Sequence, residues 1–135
     1  MDKVASTVRG IRNNNPTNLE DAGIAWQGLI GTDGPYCKFD TMANGIRAAA
    51  INLRNYWRLH GLNTVDAIVR RWSSTDQDAY VANMSAWLGV DSQEALDMED
   101  AGVRAHLLQA MTRQEEGAVA ELLVDDQITQ VVASV

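Results

Sequence analysis

One cysteine, Cys37, and two histidines, His60 and His106, are all that this 135-residue sequence offers of the commonest metal-ligating side chains. A lone cysteine excludes an internal disulfide and argues against a thiolate metal cluster, and two histidines leave few ligands for any metal site. No metal and no other cofactor is expected. Also missing is any apolar run near the ~20 residues that a membrane-spanning helix needs. Met1 to Thr7 lacks the apolar core segment of a secretory signal, so export is expected to use another route, such as release by lysis or delivery inside a larger particle. The sequence likewise holds no phosphate-cradling glycine loop, no helix with paired metal-binding histidines and no serine elbow.

What is present fits a folded protein. The length and a hydrophobic fraction of 46% are those of one domain, here residues 1–135, large enough to bury a real core. The net charge of −7 is unevenly spread: up to Val90 there are nine Lys/Arg against eight Asp/Glu, and from Asp91 onward two against ten. The first two thirds therefore carry +1 and the tail −8. Nucleic acid is not an expected partner of the whole chain, although Arg47, Arg54, Arg58, Arg70 and Arg71 could form a local basic face.

The densest signal is the stretch Arg9-Gly-Ile-Arg-Asn-Asn-Asn-Pro-Thr-Asn18. Asparagine side chains compete with the backbone for hydrogen bonds and tolerate left-handed geometry, and Pro16 disfavours α geometry at Asn15, so an irregular loop is expected. Two readings are open. The amides and arginines could line a cleft and hydrogen-bond a neutral, hydroxyl- and acetamido-bearing ligand such as a glycan, or they could satisfy one another in a surface turn.

Along the chain, Asp2 to Val8 reads as a frayed lead-in, and Ile24 to Gly28 with Pro35 to Phe39 as a small two-stranded ribbon or two extended segments that must pack on helices. Trp26 is either a sugar-stacking platform or the anchor of that ribbon. Asp40 and Thr41 offer cap oxygens for a helix to about His60, closed by Gly61, whose stripe of Met42, Ile46, Ala49, Ala50, Leu53, Trp57 and Tyr56 marks it as the central core helix. Gly45 on it would admit another backbone closely. A second helix is expected from Asn63 or Thr64 to Trp72. A third, capped from Ser73 to Asp76, would run from Gln77 to Leu88 with Tyr80, Val81, Met84, Trp87 and Leu88 inward. A short helical turn after Asp91, a long helix from Met98 to Gly117 and a terminal helix from Asp125 complete a mainly α, α+β reading. Glu115-Glu116 closes the last long helix. Such a pair is either solvated or, beside a cleft, a source of a general acid whose pKa burial and its charged neighbour raise.

The opening string, then Trp26-Gln-Gly28, Phe39-Asp-Thr41, Gly45-Ile-Arg-Ala48, Gly61-Leu-Asn-Thr64 and Arg71-Trp72, resembles a family of small phage virion proteins and lysozyme-like peptidoglycan hydrolases that open on Arg-Gly-Ile-Arg-Asn-Asn-Asn-Pro-Gly-Asn. The likeness spans nearly the whole chain. It differs at Thr17, where the family has glycine. It differs again at Gln114 and Glu116, which stand for the histidine and asparagine of an Arg-His-Glu-Asn-Gly string. The stretch from Ser73 to Ala79 is also short and lacks the family's Glu-Asn pair.

The resemblance implies a lysozyme-like helical bundle with a small β-ribbon near its N-terminus, and a site for peptidoglycan glycan strands. It maps the family's glutamate onto Glu115, which would protonate the glycosidic oxygen as a muramidase or lytic transglycosylase does. Arg12, Asn13, Asn14, Asn15, Asn18, Trp26 and Asp40 would position the sugars, and Asp40 or Glu20 would serve as partner carboxylate unless the sugar's own hydroxyl attacks. The protein would reside in the phage virion among other virion proteins and act in the host periplasm or cell wall. The departures leave a second reading, a virion protein that keeps the fold without turnover.

Overall fold

The computed structural model describes residues 8–135, so the expected lead-in from Asp2 lies, as far as Thr7, outside the described residues. One helical turn, α1 (Arg9–Arg12), opens them and leads into the asparagine loop. The strands β1 (Leu29–Asp33) and β2 (Tyr36–Phe39) follow, then the helices α2 (Met42–His60), α3 (Val65–Trp72), α4 (Gln77–Leu88), α5 (Ala101–Glu116) and α6 (Ala118–Ala133). The architecture is mostly helical with a two-stranded antiparallel sheet near the N-terminus, as composition and pattern led one to expect.

Local chemistry sets most of the boundaries. Thr41 accepts from the Asn44 amide to start α2, and Gly61 ends it in the left-handed region (φ 68°), its amide bonding the Trp57 carbonyl. Thr64 caps α3 in the same way through Ala67, and Asp100 caps α5 through Gly102 and Val103. The core is built around α2, whose Ile46, Ala49, Leu53 and Tyr56 are buried, with α5 and α6 packed against it. Val65, Ile68, Val69 and Trp72 of α3 all turn inward, as their spacing requires. On β2, Cys37 and Phe39 alternate inward with period two and close the core from the ribbon side.

Several expectations are corrected. The stretch from Arg9 begins as a helical turn, because it packs on α5 before the asparagines interrupt it. The first strand lies at 29–33 rather than 24–28, since the Gly34-Pro35 turn pairs Asp33 with Tyr36 and leaves Trp26 in the preceding loop. Trp57 is 37% exposed and Trp87 38%, the former because the last turn of α2 projects beyond its neighbours. Asp76 makes no side-chain cap, being itself left-handed (φ 49°). No helix follows Asp91; α5 begins at Ala101, where Asp100 caps it, and α6 at Ala118 rather than near Asp125, with Gly117 (φ 98°) as the only break between the two.

Gly45 does admit a neighbouring backbone. A Cβ there would overlap the carbonyl of Asn14, which cannot retreat because Asn14 is itself left-handed (φ 54°) and donates its side-chain amide to the Phe39 carbonyl at 3.0 Å. Gly45→Ala is therefore expected to cost about 2–3 kcal/mol, although alanine suits a helix better by ~1 kcal/mol. The thermal midpoint should fall by roughly 10 °C. An unchanged or raised midpoint in a circular-dichroism melt would show that the loop does not need this approach.

Candidate active site

The asparagine loop meets the end of α5. Asn18, held left-handed at φ 49°, donates its side-chain amide to Glu115 Oε1 at 3.0 Å across 97 residues of sequence. Trp72 fixes the loop from the other side by donating its indole N–H to the Thr17 carbonyl at 2.9 Å. Glu116, next on the helix, presses its carboxylate against Gly10 of α1, where any Cβ would overlap it. Glycine at position 10 is thus what allows a carboxylate to reach the α1 backbone.

Both carboxyls are harder to ionise than a free glutamate. Burial raises the pKa of Glu115, and the nearby Glu20 charge adds to it, while the Asn18 amide, the Tyr80 hydroxyl and the Arg9 cation act the other way. Glu116 is pushed up to about 7, again chiefly by burial, with the Glu115 charge adding and the Gly10 amide, Asn18 and Arg9 opposing. Tyr80, almost wholly buried beside Glu115, has its phenol pKa raised well above the ordinary value by burial first and by that carboxylate second. Beside the Asn18–Glu115 bond, Asn18 Oδ1 is buried without a hydrogen-bond partner. An unpaired buried polar atom costs free energy, so this oxygen is one that a ligand hydroxyl or acetamido N–H, or water, can satisfy.

The sequence run that reaches Glu115 also lines a groove. Leu19 and Glu20, directly after Asn18, form one wall of a cavity of about 410 Å³ together with Trp26, Tyr56 and Trp72. Glu20 acts on the charges of both Tyr56 and Glu115, which ties the groove to the carboxylates. Tyr56 and Trp72 pack edge to face at 5.6 Å.

The expected site residues divide into two groups. Asn18 lies with Glu115, and Trp26 lines the groove. Arg12 and Asn13 instead both bond Asp33 on the ribbon at 3.1 Å, drawing its carboxyl below the ordinary range, Asn13 having the larger effect. Asn14 serves the Phe39 carbonyl, and Asn15, fully buried, bonds Leu19 twice and Cys37 once. Asp40 accepts from Asn44 at 2.8 Å, whereas the Glu20 charge is one of those that raise the pKa of Glu115. Gly10 and Tyr80 belong to the site too, and sequence reading did not place them there, while Glu116 entered it only as half of a carboxylate pair. The tandem Glu115-Glu116 was the only local sign. Two of the five arginines of the expected basic face are matched by carboxylates, Arg58 by Glu99 and Arg70 by Asp66 and Asp78.

No protein-family model matches the chain. Protein P5 of Pseudoalteromonas phage PM2 is 31% identical to it over 105 residues, which cover 72% of this chain and 66% of that protein. This chain is related to a bacteriophage protein. The match spans just under two thirds of the relative's length. Among the described residues no helix is long and apolar enough to cross a membrane, and no three His, Cys, Asp or Glu side chains gather as metal ligands.

The raised pKa of Glu116 has a consequence for stability. Its folded-state value of about 7 exceeds the ordinary 4.5, so the fold favours the protonated form. That contribution is complete below about pH 4.5 and is lost as pH rises through 7. Glu116→Gln, which cannot ionise, should melt like the wild type near pH 4.5 and be more stable at pH 8. Solvent reaches part of the carboxyl, so the gain is of order 1–2 kcal/mol. Equal melting curves at pH 8 would mean that Glu116 is ionised at little cost in the native state.

Proposed function

We propose that this chain is a virion-associated, lysozyme-like domain that cleaves the glycan strands of peptidoglycan, with Glu115 as general acid. The observation that carries the reading is the environment of Glu115: a largely buried carboxyl of raised pKa, held by Asn18 of the asparagine loop and joined through Leu19 and Glu20 to an aromatic-lined groove. Such a carboxyl keeps its proton at a pH where an ordinary glutamate has lost it, and can deliver it to a glycosidic oxygen. Trp26 supplies a face for a sugar ring. Glu20, rather than Asp40, is the partner carboxylate that the electrostatics favour, either steadying the cationic transition state or activating water. A transglycosylase route, in which the sugar's hydroxyl attacks, needs Glu115 alone. The phage relative supports a place in the virion, with other virion proteins as neighbours, and the host wall as the point of action follows from the glycan reading alone.

A structural virion role is the second reading. It is favoured by two features: the amides of Asn13, Asn14 and Asn15 are all engaged within the protein, and α6 exposes Val119, Leu122 and Leu123 on one face. Turbidity clearing of purified peptidoglycan, with mass analysis of the soluble fragments, separates the two. Reducing or anhydro sugar ends would establish the enzyme and its route. No clearing by folded protein from about pH 4 to pH 8, a span that covers ordinary and raised carboxyl pKa values, would leave the structural role.

A further inference from the structure

The groove has a charged end that the cleavage chemistry leaves unused. Arg71, in the last turn of α3, lines it beside His60 and the α2 amides Asn52 and Asn55. Its guanidinium carbon stands 5.4 Å from the centre of the Tyr56 ring, and one of its nitrogens is 3.3 Å from His60 Nε2. Arg58 and Arg70 are matched by carboxylates, but among the described residues no carboxylate pairs with Arg71. An arginine held against an aromatic face and matched by no carboxylate is a ready receptor for one. The two asparagine amides next to it can both donate to and accept from an acetamido group.

We infer that the Arg71 end of the groove binds a carboxylate, so that the ligand is an acetamido sugar bearing an acid and not a neutral glycan. In peptidoglycan that acid is either the lactyl group of a muramyl unit or a free carboxylate of the peptide stem. The inference rests on the glycan reading of the groove and adds to it the charge of the ligand. Glu20, which also lines the cavity, sharpens the selection, because its charge repels the acid and leaves Arg71 as the favourable partner.

Calorimetric titration with three probes tests this: triacetylchitotriose, which is neutral; the N-acetylglucosaminyl–N-acetylmuramic acid disaccharide, whose lactyl carboxylate is free; and the disaccharide tetrapeptide, whose acids lie on the stem. At least one acidic probe should bind ten-fold or more tighter than chitotriose, and which one does so names the source of the acid. Raising the salt concentration should narrow the gap. Arg71→Gln, checked for an unchanged melt, should bring the acidic probes down to the chitotriose value. Chitotriose binding as tightly as the acidic probes would overturn the inference and leave the glycan reading standing, as would an Arg71→Gln loss equal for all three. If no probe binds while the wild type clears peptidoglycan, the groove is not the binding cleft and the inference falls alone. If no probe binds and nothing is cleared, both fall.

Discussion

Glu115→Gln should lower peptidoglycan clearing by roughly 10²–10⁴-fold, the range that a positioned general acid contributes. The substitution keeps the oxygen that accepts the Asn18 amide, so the loop contact survives and only the transferable proton is lost. The variant should therefore fold, and by removing a carboxyl that is costly to ionise it should melt at or slightly above the wild-type temperature near neutral pH. The wild-type rate should persist above the pH at which a free glutamate ionises and decline on the alkaline side, since the acid works only while protonated. Clearing that survives the substitution at full rate would remove Glu115 from the chemistry. The neighbouring Glu116, with its pKa of about 7, would then be the next carboxyl to replace.

Asn15→Ala should cost the fold about 3–5 kcal/mol, a large part of the stability of a domain this size. The Asn15 side chain is wholly buried and donates to the Leu19 and Cys37 carbonyls at 3.0 Å while accepting from the Leu19 amide at 2.9 Å. Alanine would leave the Leu19 N–H and the Cys37 carbonyl buried with no replacement from solvent. Aspartate should do no better, because an ionised carboxylate keeps the acceptor but loses both donors and buries a charge. The loop carries Asn18, so the same change should also blunt clearing by displacing the group that holds Glu115. Urea unfolding is the direct measurement. A loss below about 1 kcal/mol, the worth of a single ordinary hydrogen bond, would mean that the ribbon and Trp72 hold the loop without Asn15.

These two residues mark the limits of local reading. The helices from Met42 to Leu88 were legible because apolar residues recur at the right period and a capping Thr or Gly stands at four of their six ends. The first strand of the ribbon and the start of the last helix were misplaced where the signal was a turn or a cap rather than a stripe. The Gly34-Pro35 turn moved β1 towards itself, and Gly117 joined rather than terminated the helical region. Asn13, Asn14, Asn15 and Asn18 look alike in the sequence, yet one is a keystone, two serve the ribbon and one reaches Glu115. An amide has no periodicity to betray its partner.

By itself the sequence determined the mainly helical class, the core face of α2, the close approach at Gly45 and the polar loop around Pro16, because each rests on spacing or on the backbone freedom of the residues concerned. Only the tertiary structure decided which carboxylates matter. The raised pKa values of Glu115 and Glu116 come from burial where the asparagine loop and α1 meet the end of α5, and Arg71 lacks a carboxylate because those that neutralise arginines lie beside Arg58 and Arg70. Burial and charge pairing are properties of positions in space, and contacts across 97 residues of chain leave no trace in local order.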